Sequence, residues 1–251
     1  MSAQSRRKFL GTASMGTIGA LSMPQIVSAA LINESARKRI KLNEHDVVLF
    51  QGDSITDFGR ARPLVVNNGL GSGYAFVSAS ELLCRYPQKQ LKIYNAGISG
   101  NKVYQLQERW ETDCLAIAPN VLSILIGVND YWHTLNGSYA GSLDIYRDSY
   151  RKLLDLTLTK LAGVHLIIGE PFAVKGVSIV NEQWFPAFDG YREVAKALAN
   201  EYQATFIPYQ RIFDEALKSA PGSYWTKDGV HPSVAGISLM AHAWLKCIDG
   251  F

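Results

Sequence analysis

The sequence contains few cysteines and no cluster of charge of one sign. Its 251 residues include only Cys84, Cys114 and Cys247 as cysteines. An odd number at wide spacing excludes a disulfide framework and matches no common zinc pattern, so we expect each of them to be a small buried side chain. The net charge of +3 is spread along the chain without a basic block. We therefore expect no nucleic-acid partner.

The chain also lacks an uninterrupted apolar run of the about 20 residues that a membrane span requires. The stretch that comes nearest, residues 10–26, is broken by glycines, threonines and a proline. It follows the pair Arg6-Arg7 and precedes the small residues Val27-Ser28-Ala29. This arrangement resembles a twin-arginine (Tat) export signal that ends in a peptidase site.

The resemblance to an export signal divides the chain into parts. We predict a signal peptide at residues 1–29, a linker at residues 30–44 and one folded domain at residues 45–251. The protein would then be exported in a folded state through the Tat pathway, to the periplasm or the medium, with no stable membrane span once the signal is removed. An uncleaved N-terminal anchor is the alternative.

Beyond residue 45, short apolar runs alternate with stretches of helical periodicity. The predicted strands are Val47–Phe50, Leu91–Asn95, Val121–Ile126, His165–Gly169 and Thr205–Pro208. The predicted helices cover residues 73–84, 101–118, 142–161, 189–202, 209–218 and 233–247. Such alternation predicts βαβ units with right-handed crossovers. We therefore expect a single three-layer α/β/α domain around a mostly parallel sheet of about five strands.

Glycines and polar residues follow the first three predicted strands. The loops are Gly52-Asp53-Ser54, Asn95 to Asn101, and Gly127-Val128-Asn129-Asp130. Because the carboxyl ends of parallel strands lie at one edge of a sheet, these loops converge. Ser54 supplies a nucleophile there, Gly100 a backbone N–H and Asn129 a side-chain amide, which are the groups that acyl transfer needs. Each of these residues taken alone is compatible with an ordinary turn or helix cap.

A general base for Ser54 is found near the other end of the chain. Asp228 and His231 are three residues apart, so that on one turn the carboxylate can accept the Nδ1 proton and leave Nε2 facing the serine. The order Ser, Asp, His is that of the α/β-hydrolases, but no G-x-S-x-G elbow is present, which argues against that fold. A metal site formed by Asp228, His231 and His133 matches no known ligand spacing, and we expect neither a metal nor a cofactor.

Together these segments resemble the sequence blocks of the SGNH (GDSL-like) hydrolases. The blocks are Gly52-Asp53-Ser54, Gly97-Ile98-Ser99-Gly100-Asn101, Gly127-Val128-Asn129-Asp130 and Asp228-Gly229-Val230-His231, within residues 45–250. The resemblance implies the flavodoxin-like fold of that family. It implies that Ser54 is the nucleophile and that Asp228 and His231 complete its triad. It also implies that the N–H groups of Ser54 and Gly100 and the amide of Asn129 form an oxyanion hole.

Within that family the chain is most similar to the bacterial acetylxylan and other carbohydrate acetyl esterases. The similarity includes residues 69–74, 108–111 and 231–236. It implies a serine esterase that removes O-acetyl groups from an acetylated oligo- or polysaccharide. Trp132, Trp184 and Trp225 are candidates to stack on sugar rings, or else they cap the core. A homo-oligomer is compatible with the sequence.

Two other classes of function stay open at this point. The apolar residues 171–174 and 177–180 are able to line a longer acyl pocket, which keeps a lipase, a lysophospholipase or a thioesterase of the same family as alternatives. A non-catalytic glycan-binding module is the alternative from another class.

Near the motifs, we expect Asp57 and Asp130 to form supporting hydrogen bonds, and Arg109 to pair with an acid on its own helix.

Overall fold

The computed structural model describes residues 22–31 and 39–251, and its centre is a parallel sheet. The strands are β1 (Val47–Gly52), β2 (Lys92–Asn95), β3 (Val121–Leu125), β4 (His165–Gly169) and β5 (Thr205–Ile207). They lie in the order β2-β1-β3-β4-β5, and every neighbouring pair is parallel. The expected five-stranded parallel sheet is confirmed. This strand order is the flavodoxin-like one, which opens a crevice at the carboxyl ends of β1 and β3.

Helices cover both faces of the sheet. They are α1 (Met23–Leu31), α2 (Ser54–Asp57), α3 (Tyr74–Arg85), α4 (Val103–Glu108), α5 (Val128–Leu135), α6 (Leu143–Lys160), α7 (Ala187–Glu201), α8 (Tyr209–Ala216), α9 (Gly222–Trp225) and α10 (Val234–Leu245). On one face α3 packs against α10, whose Trp244 donates an indole N–H bond of 3.0 Å to Ser123 of β3. On the other face α4 and α7 pack against α6.

The helix predicted over residues 101–118 is interrupted in the structure. α4 ends at Glu108, and a π-helical turn over Glu111–Leu115 follows it. In this wide turn the Ala116 N–H bonds the Glu111 carbonyl, and the Asp113 carbonyl is left to accept a 2.7 Å bond from the buried Gln51 amide of β1. The spacing of the apolar residues does not predict the interruption, because the Gln51 amide that bonds the Asp113 carbonyl lies on a strand distant in sequence.

The burial of the three cysteines differs from the expectation at one position. Cys114 and Cys247 are buried as predicted, whereas Cys84 is exposed on α3. The prediction for Cys84 was therefore wrong. The helical period places this residue near the end of α3, on the side opposite the buried residues of that helix.

Within residues 22–31 and 39–251, none of the helices is long and apolar enough to cross a membrane. The twin-arginine pattern lies outside the described residues. The predicted cleavage point after Ala29 falls inside α1, which packs against α8 and α10. There the helix buries Ile26, Val27 and Ala30. Cleavage after Ala29 would thus remove most of a helix that covers apolar surface of two others.

We expect α1 to stabilise the folded domain. A chain that begins at Ala30 loses the buried side chains of Ile26 and Val27, each worth roughly 1.5–3 kcal/mol before the cost of ordering the segment is subtracted. Its Tm should lie several degrees below that of a chain that begins at Ser22, because about 1 kcal/mol shifts Tm by roughly 2–4 °C at this size. Thermal unfolding of both chains, followed by circular dichroism, measures the difference. Equal Tm values would contradict a stabilising role for α1.

Candidate active site

Side chains from the two ends of the domain form a continuous hydrogen-bonded line. The Oγ atom of Ser54 lies 2.8 Å from Nε2 of His231, and Nδ1 of His231 lies 2.7 Å from Oδ2 of Asp228. The second oxygen of Asp228 accepts the backbone N–H groups of Val230 and His231 at 2.9 and 2.8 Å. A carboxylate only accepts, so Nδ1 carries the ring proton and Nε2 is free to accept the serine proton.

The electrostatics of Asp228 support this arrangement. Burial alone would raise the pKa of Asp228, but its hydrogen bonds from the backbone and ring of His231 and from Val230 hold that pKa below the ordinary value. The carboxyl group is therefore ionised at neutral pH. It fixes the orientation of the imidazole and can stabilise the imidazolium that forms when Ser54 loses its proton.

The local sequence explains why Ser54 sits at the sheet edge. Ser54 begins α2 directly after β1, and the Asp53 carboxylate caps this helix by accepting the Ile55 N–H at 3.0 Å. Gly52 is required because a Cβ atom at this position would collide with the Leu125 carbonyl of β3. The chain can therefore turn tightly out of the sheet and keep Ser54 beside β3.

Backbone and side-chain donors at the same edge are available to a ligand. In the described part of the chain, the N–H groups of Ser54 and Gly100 make no hydrogen bond to another protein group. Gly100 has φ +81°, a conformation that favours glycine. The Asn129 amide donates one bond of 3.2 Å to the Asn101 carbonyl, which leaves its second N–H for a ligand. Donors of this kind can hold an oxygen that becomes negative.

Asp57 anchors the loop that carries Gly100. Its Oδ2 atom accepts the backbone N–H of Ser99 at 3.0 Å, the Ser99 hydroxyl at 2.8 Å and the Arg62 guanidinium at 2.8 Å. Burial would raise the pKa of Asp57, but these bonds from Arg62 and Ser99 hold it below the ordinary value. The expected supporting role of Asp57 thus has a defined geometry, because it ties α2 to the residue that precedes Gly100.

Arg109 makes the predicted ion pair and further contacts that the sequence did not suggest. It pairs with Asp113 on its own helical segment at 2.9 Å. It also donates to the Ala96 carbonyl at 2.8 Å and to the Asn101 side-chain oxygen at 2.9 Å. The planar guanidinium therefore holds both ends of the loop after β2. No periodicity or motif points to such a role, because the partners are backbone and amide oxygens of that loop.

The segment 171–180 supports the loop of Asp228 and His231. The Val174 N–H donates to the Gly229 carbonyl at 2.7 Å, and the Ile179 N–H donates to the Asp228 carbonyl at 3.2 Å. Phe172 is fully buried and stacks on Phe213 of α8 at 4.4 Å between ring centroids. Val174, Val177 and Val180 are buried as well, so most of the candidates to line a long acyl pocket belong to the core.

The candidate sugar-stacking tryptophans differ in their exposure. Trp184 is 1% exposed, and its indole N–H donates to the Ile179 carbonyl at 3.0 Å. Trp225 is 6% exposed. Both rings belong to the core and present no free face to a sugar, so the structure does not support them as stacking residues. Trp132 keeps part of its ring exposed on α5, and Tyr224 beside Trp225 is 57% exposed.

Two buried carboxyl groups lie next to the donors. Burial raises the pKa of Asp53 to about 7, and the charge of Asp130 acts in the same direction. Burial likewise raises the pKa of Asp130 to about 7, and this residue accepts the Val103 N–H at the start of α4 at 3.1 Å. Within the described ranges no group of three or more His, Cys, Asp or Glu side chains could hold a metal ion.

Comparison with known proteins finds a family model and a relative that are similar to most of the chain. Residues 50–238 match the model of the GDSL-like Lipase/Acylhydrolase family. The chain is 38% identical over 213 residues to an acetylxylan esterase from Geobacillus stearothermophilus, which covers 82% of this chain and 95% of that protein.

Solved structures show the same fold. A GDSL-like lipase from Parabacteroides merdae superposes with a TM-score of 0.81 at 48% identity, covering 84% of this chain and 98% of its own. The crystal structure of the Geobacillus stearothermophilus acetylxylan esterase superposes with a TM-score of 0.76 at 36% identity, covering 84% and 97%. Catalytic mutants of that esterase, with alanine in place of a serine, a histidine or an aspartate, have also been solved.

The raised pKa of Asp53 makes the stability of the domain depend on pH. The pKa of Asp53 is ordinarily 3.8 and is about 7 in the folded state. The protonated carboxyl group therefore contributes fully to the free energy of unfolding below pH 3.8, and this contribution is lost as the pH rises through 7. The Asp53→Asn variant lacks this dependence. The free energy of unfolding of the wild type, relative to the variant, should fall by about 2–3 kcal/mol between pH 5 and pH 8.

Urea unfolding of both proteins at pH 5 and pH 8 measures this difference. Asp144→Asn is a matched control, because the Asp144 side chain is 74% exposed on α6. The control should follow the wild type at both pH values. A difference between wild type and Asp53→Asn that is the same at pH 5 and pH 8 would contradict protonation of Asp53 in the folded state.

Proposed function

The chain belongs to the GDSL-like lipase/acylhydrolase family and is a carboxylic ester hydrolase, and on this basis we propose that it is a serine esterase that removes O-acetyl groups from carbohydrates. The observation that carries the proposal is the hydrogen-bonded line from Ser54 through His231 to Asp228, beside the N–H groups of Ser54 and Gly100, which have no partner among the residues that the structure describes. A polar turn without catalytic function would not require an imidazole oriented by a carboxylate.

In the first half-reaction His231 Nε2 takes the proton of Ser54 while Oγ attacks the acetyl carbonyl carbon. The carbonyl oxygen becomes negative and is held by the N–H groups of Ser54 and Gly100 and by the Asn129 amide. Loss of one such donor typically lowers kcat by roughly 10²–10³-fold. The tetrahedral intermediate then expels the sugar oxygen, which His231 protonates, and Asp228 stabilises the imidazolium between these steps.

In the second half-reaction water takes the place of the sugar. His231 removes a proton from the water molecule, whose oxygen attacks the acetyl-serine carbonyl. The same donors hold the oxyanion. Its collapse releases acetate and returns the proton from His231 to Ser54, so that the enzyme regains its starting state.

An acetyl group on a carbohydrate is favoured over a long acyl chain by two observations. The relative with 38% identity is an acetylxylan esterase. In addition, most of the apolar side chains that could have lined a long acyl pocket, in segment 171–180, are buried in the core, and the backbone of this segment bonds the loop of Asp228. The partly exposed rings of Trp132 and Tyr224 offer surfaces for sugar rings. An acetylated oligo- or polysaccharide is therefore the proposed substrate.

We also propose that the protein acts outside the cytoplasm, in the periplasm or as a secreted enzyme. The support is the twin-arginine pattern at Arg6-Arg7 and the small residues before Ala30. Export through the Tat pathway delivers a folded protein, which suits a site assembled from distant segments of the chain.

Replacement of the nucleophile tests the mechanism directly. Ser54→Ala should lower kcat for 4-nitrophenyl acetate by about 10³-fold or more, because no other group can form the acyl-enzyme. Release of 4-nitrophenol measures the rate. Ser80→Ala, at an exposed serine on α3, serves as the control and should behave as the wild type. A Ser54→Ala protein that keeps most of its activity would refute the proposed nucleophile.

Covalent labelling distinguishes the esterase from a glycan-binding module. An organophosphate should react with Ser54 and add its phosphoryl group to the peptide that contains this residue, as detected by mass spectrometry. The reaction should be absent in Ser54→Ala. An unlabelled wild-type protein would favour the binding module.

Acyl-chain preference decides between an acetyl esterase and the lipase or thioesterase alternatives. We expect kcat/KM to be higher for 4-nitrophenyl acetate than for 4-nitrophenyl octanoate, because segment 171–180 is occupied by packing contacts. Initial rates with the two esters give the ratio. Faster turnover of the octanoate ester would exclude the acetyl-esterase proposal. If the acetate ester is turned over faster, acetate release from acetylated xylan, pectin and mannan identifies the preferred polymer.

A further inference from the structure

The helix that carries Asn129 also brings a histidine to the same side of the site. Asn129 and His133 are four residues apart on α5, so their side chains lie on one face of the helix, one turn apart. Asn129 faces the loop after β2, where its amide bonds the Asn101 carbonyl at 3.2 Å. His133 therefore lies at the edge of the same cleft, one turn beyond the proposed oxyanion donor.

A lysine from the Gly100 loop determines which ring nitrogen of His133 carries the proton. The Lys102 Nζ atom lies 3.1 Å from His133 Nδ1. An ammonium group has donors and no acceptor, so Nδ1 must be the acceptor in this contact. Burial and the charge of Lys102 lower the pKa of His133, and the ring is neutral at neutral pH. A neutral ring that accepts at Nδ1 carries its proton on Nε2.

Lys102 is itself held in place from several sides. Its side chain is 8% exposed, and Nζ lies 3.3 Å from the Gln105 side-chain oxygen and 3.5 Å from the Gly100 carbonyl. The stacked rings of Tyr104 and Tyr139 lie at 5.9 and 5.2 Å from Nζ, within the range of a cation–π contact. The ammonium group is therefore fixed next to the imidazole, and it links His133 to the loop of Gly100.

The remaining nitrogen of His133 is available to a ligand. Nε2 makes no hydrogen bond in the described part of the chain, and it is not among the buried polar atoms that lack a partner, so it is open to solvent. We propose that His133 is a specificity-determining residue whose Nε2–H donates a hydrogen bond to a hydroxyl group of the alcohol part of the ester, in a tautomer imposed by Lys102. This inference rests on the proposed acetyl-ester hydrolysis.

Two acetate esters that differ only in hydroxyl groups test the proposal. They are glycerol 1-monoacetate and propyl acetate, and the quantity to compare is the ratio of their kcat/KM values. The wild type should prefer the hydroxylated ester. His133→Phe keeps an aromatic ring but has no N–H, and it should lower the ratio by about 3- to 10-fold, the effect of one neutral hydrogen bond.

Two further variants separate donation by His133 from a merely structural effect. His133→Gln places an amide N–H near the position of Nε2 and should restore most of the ratio. Lys102→Met keeps an unbranched side chain but removes the donor to Nδ1. It should lower the ratio because both tautomers of His133 then become populated.

The possible results have distinct meanings. A ratio that is unchanged in His133→Phe, or a wild type without preference for the hydroxylated ester, would overturn the proposal. Equal losses for both esters in His133→Phe, without recovery in His133→Gln, would assign the residue a structural role only and would also overturn it. The proposed esterase mechanism has its own test, because it is wrong if Ser54→Ala hydrolyses both esters at the wild-type rate.

Discussion

The parallel pairing of β1 with β3 is the constraint on which the proposed active site depends. The register places Gly52 opposite Leu125, so the chain leaves the two strands side by side at the carboxyl edge of the sheet. Ser54 and Asn129 follow within a few residues of these points. The strand order reverses between the two halves of the sheet at β1 and β3, which leaves a crevice that no crossover covers. The Ser54 nucleophile and the Asn129 amide donor thus lie at the same edge of the sheet without a long loop.

The site is kept rigid by polar groups that bond across loops. Asp57 ties the residue before Gly100 to α2, and Arg109 bonds both ends of the loop after β2. Such groups are costly to bury unless they are paired, so each contact constrains the position of the loop as well as satisfying the side chain. The Asp228 loop is held in the same manner by backbone bonds from segment 171–180. Catalysis by fixed donors requires this rigidity, because their benefit is lost if they must reorganise during the reaction.

The sequence predicted the strands within two residues because buried parallel strands consist of short apolar runs bounded by polar turns. It also indicated the residues that the structure brings together in the candidate site, because Ser54, Gly100 and Asn129 follow strand ends and Asp228 and His231 lie three residues apart. The interrupted helix after α4 and the burial of Trp184 were not predictable in this way. Both depend on partners distant in sequence, the amide of Gln51 in one case and the ring packing around Tyr131 at 5.4 Å in the other.

By itself, the sequence determined the fold class and the chemical types at the sheet edge, since periodicity and motif spacing are local properties of the chain. Only the tertiary structure decided which aromatic rings keep a free face, that segment 171–180 supports the Asp228 loop, and that Lys102 orients the ring of His133. The physical reason is that exposure and tautomeric state depend on which groups of other segments lie within hydrogen-bonding or van der Waals distance. The identity of a residue determines which hydrogen bonds its side chain can donate or accept. Packing determines which of these groups remain available to a substrate.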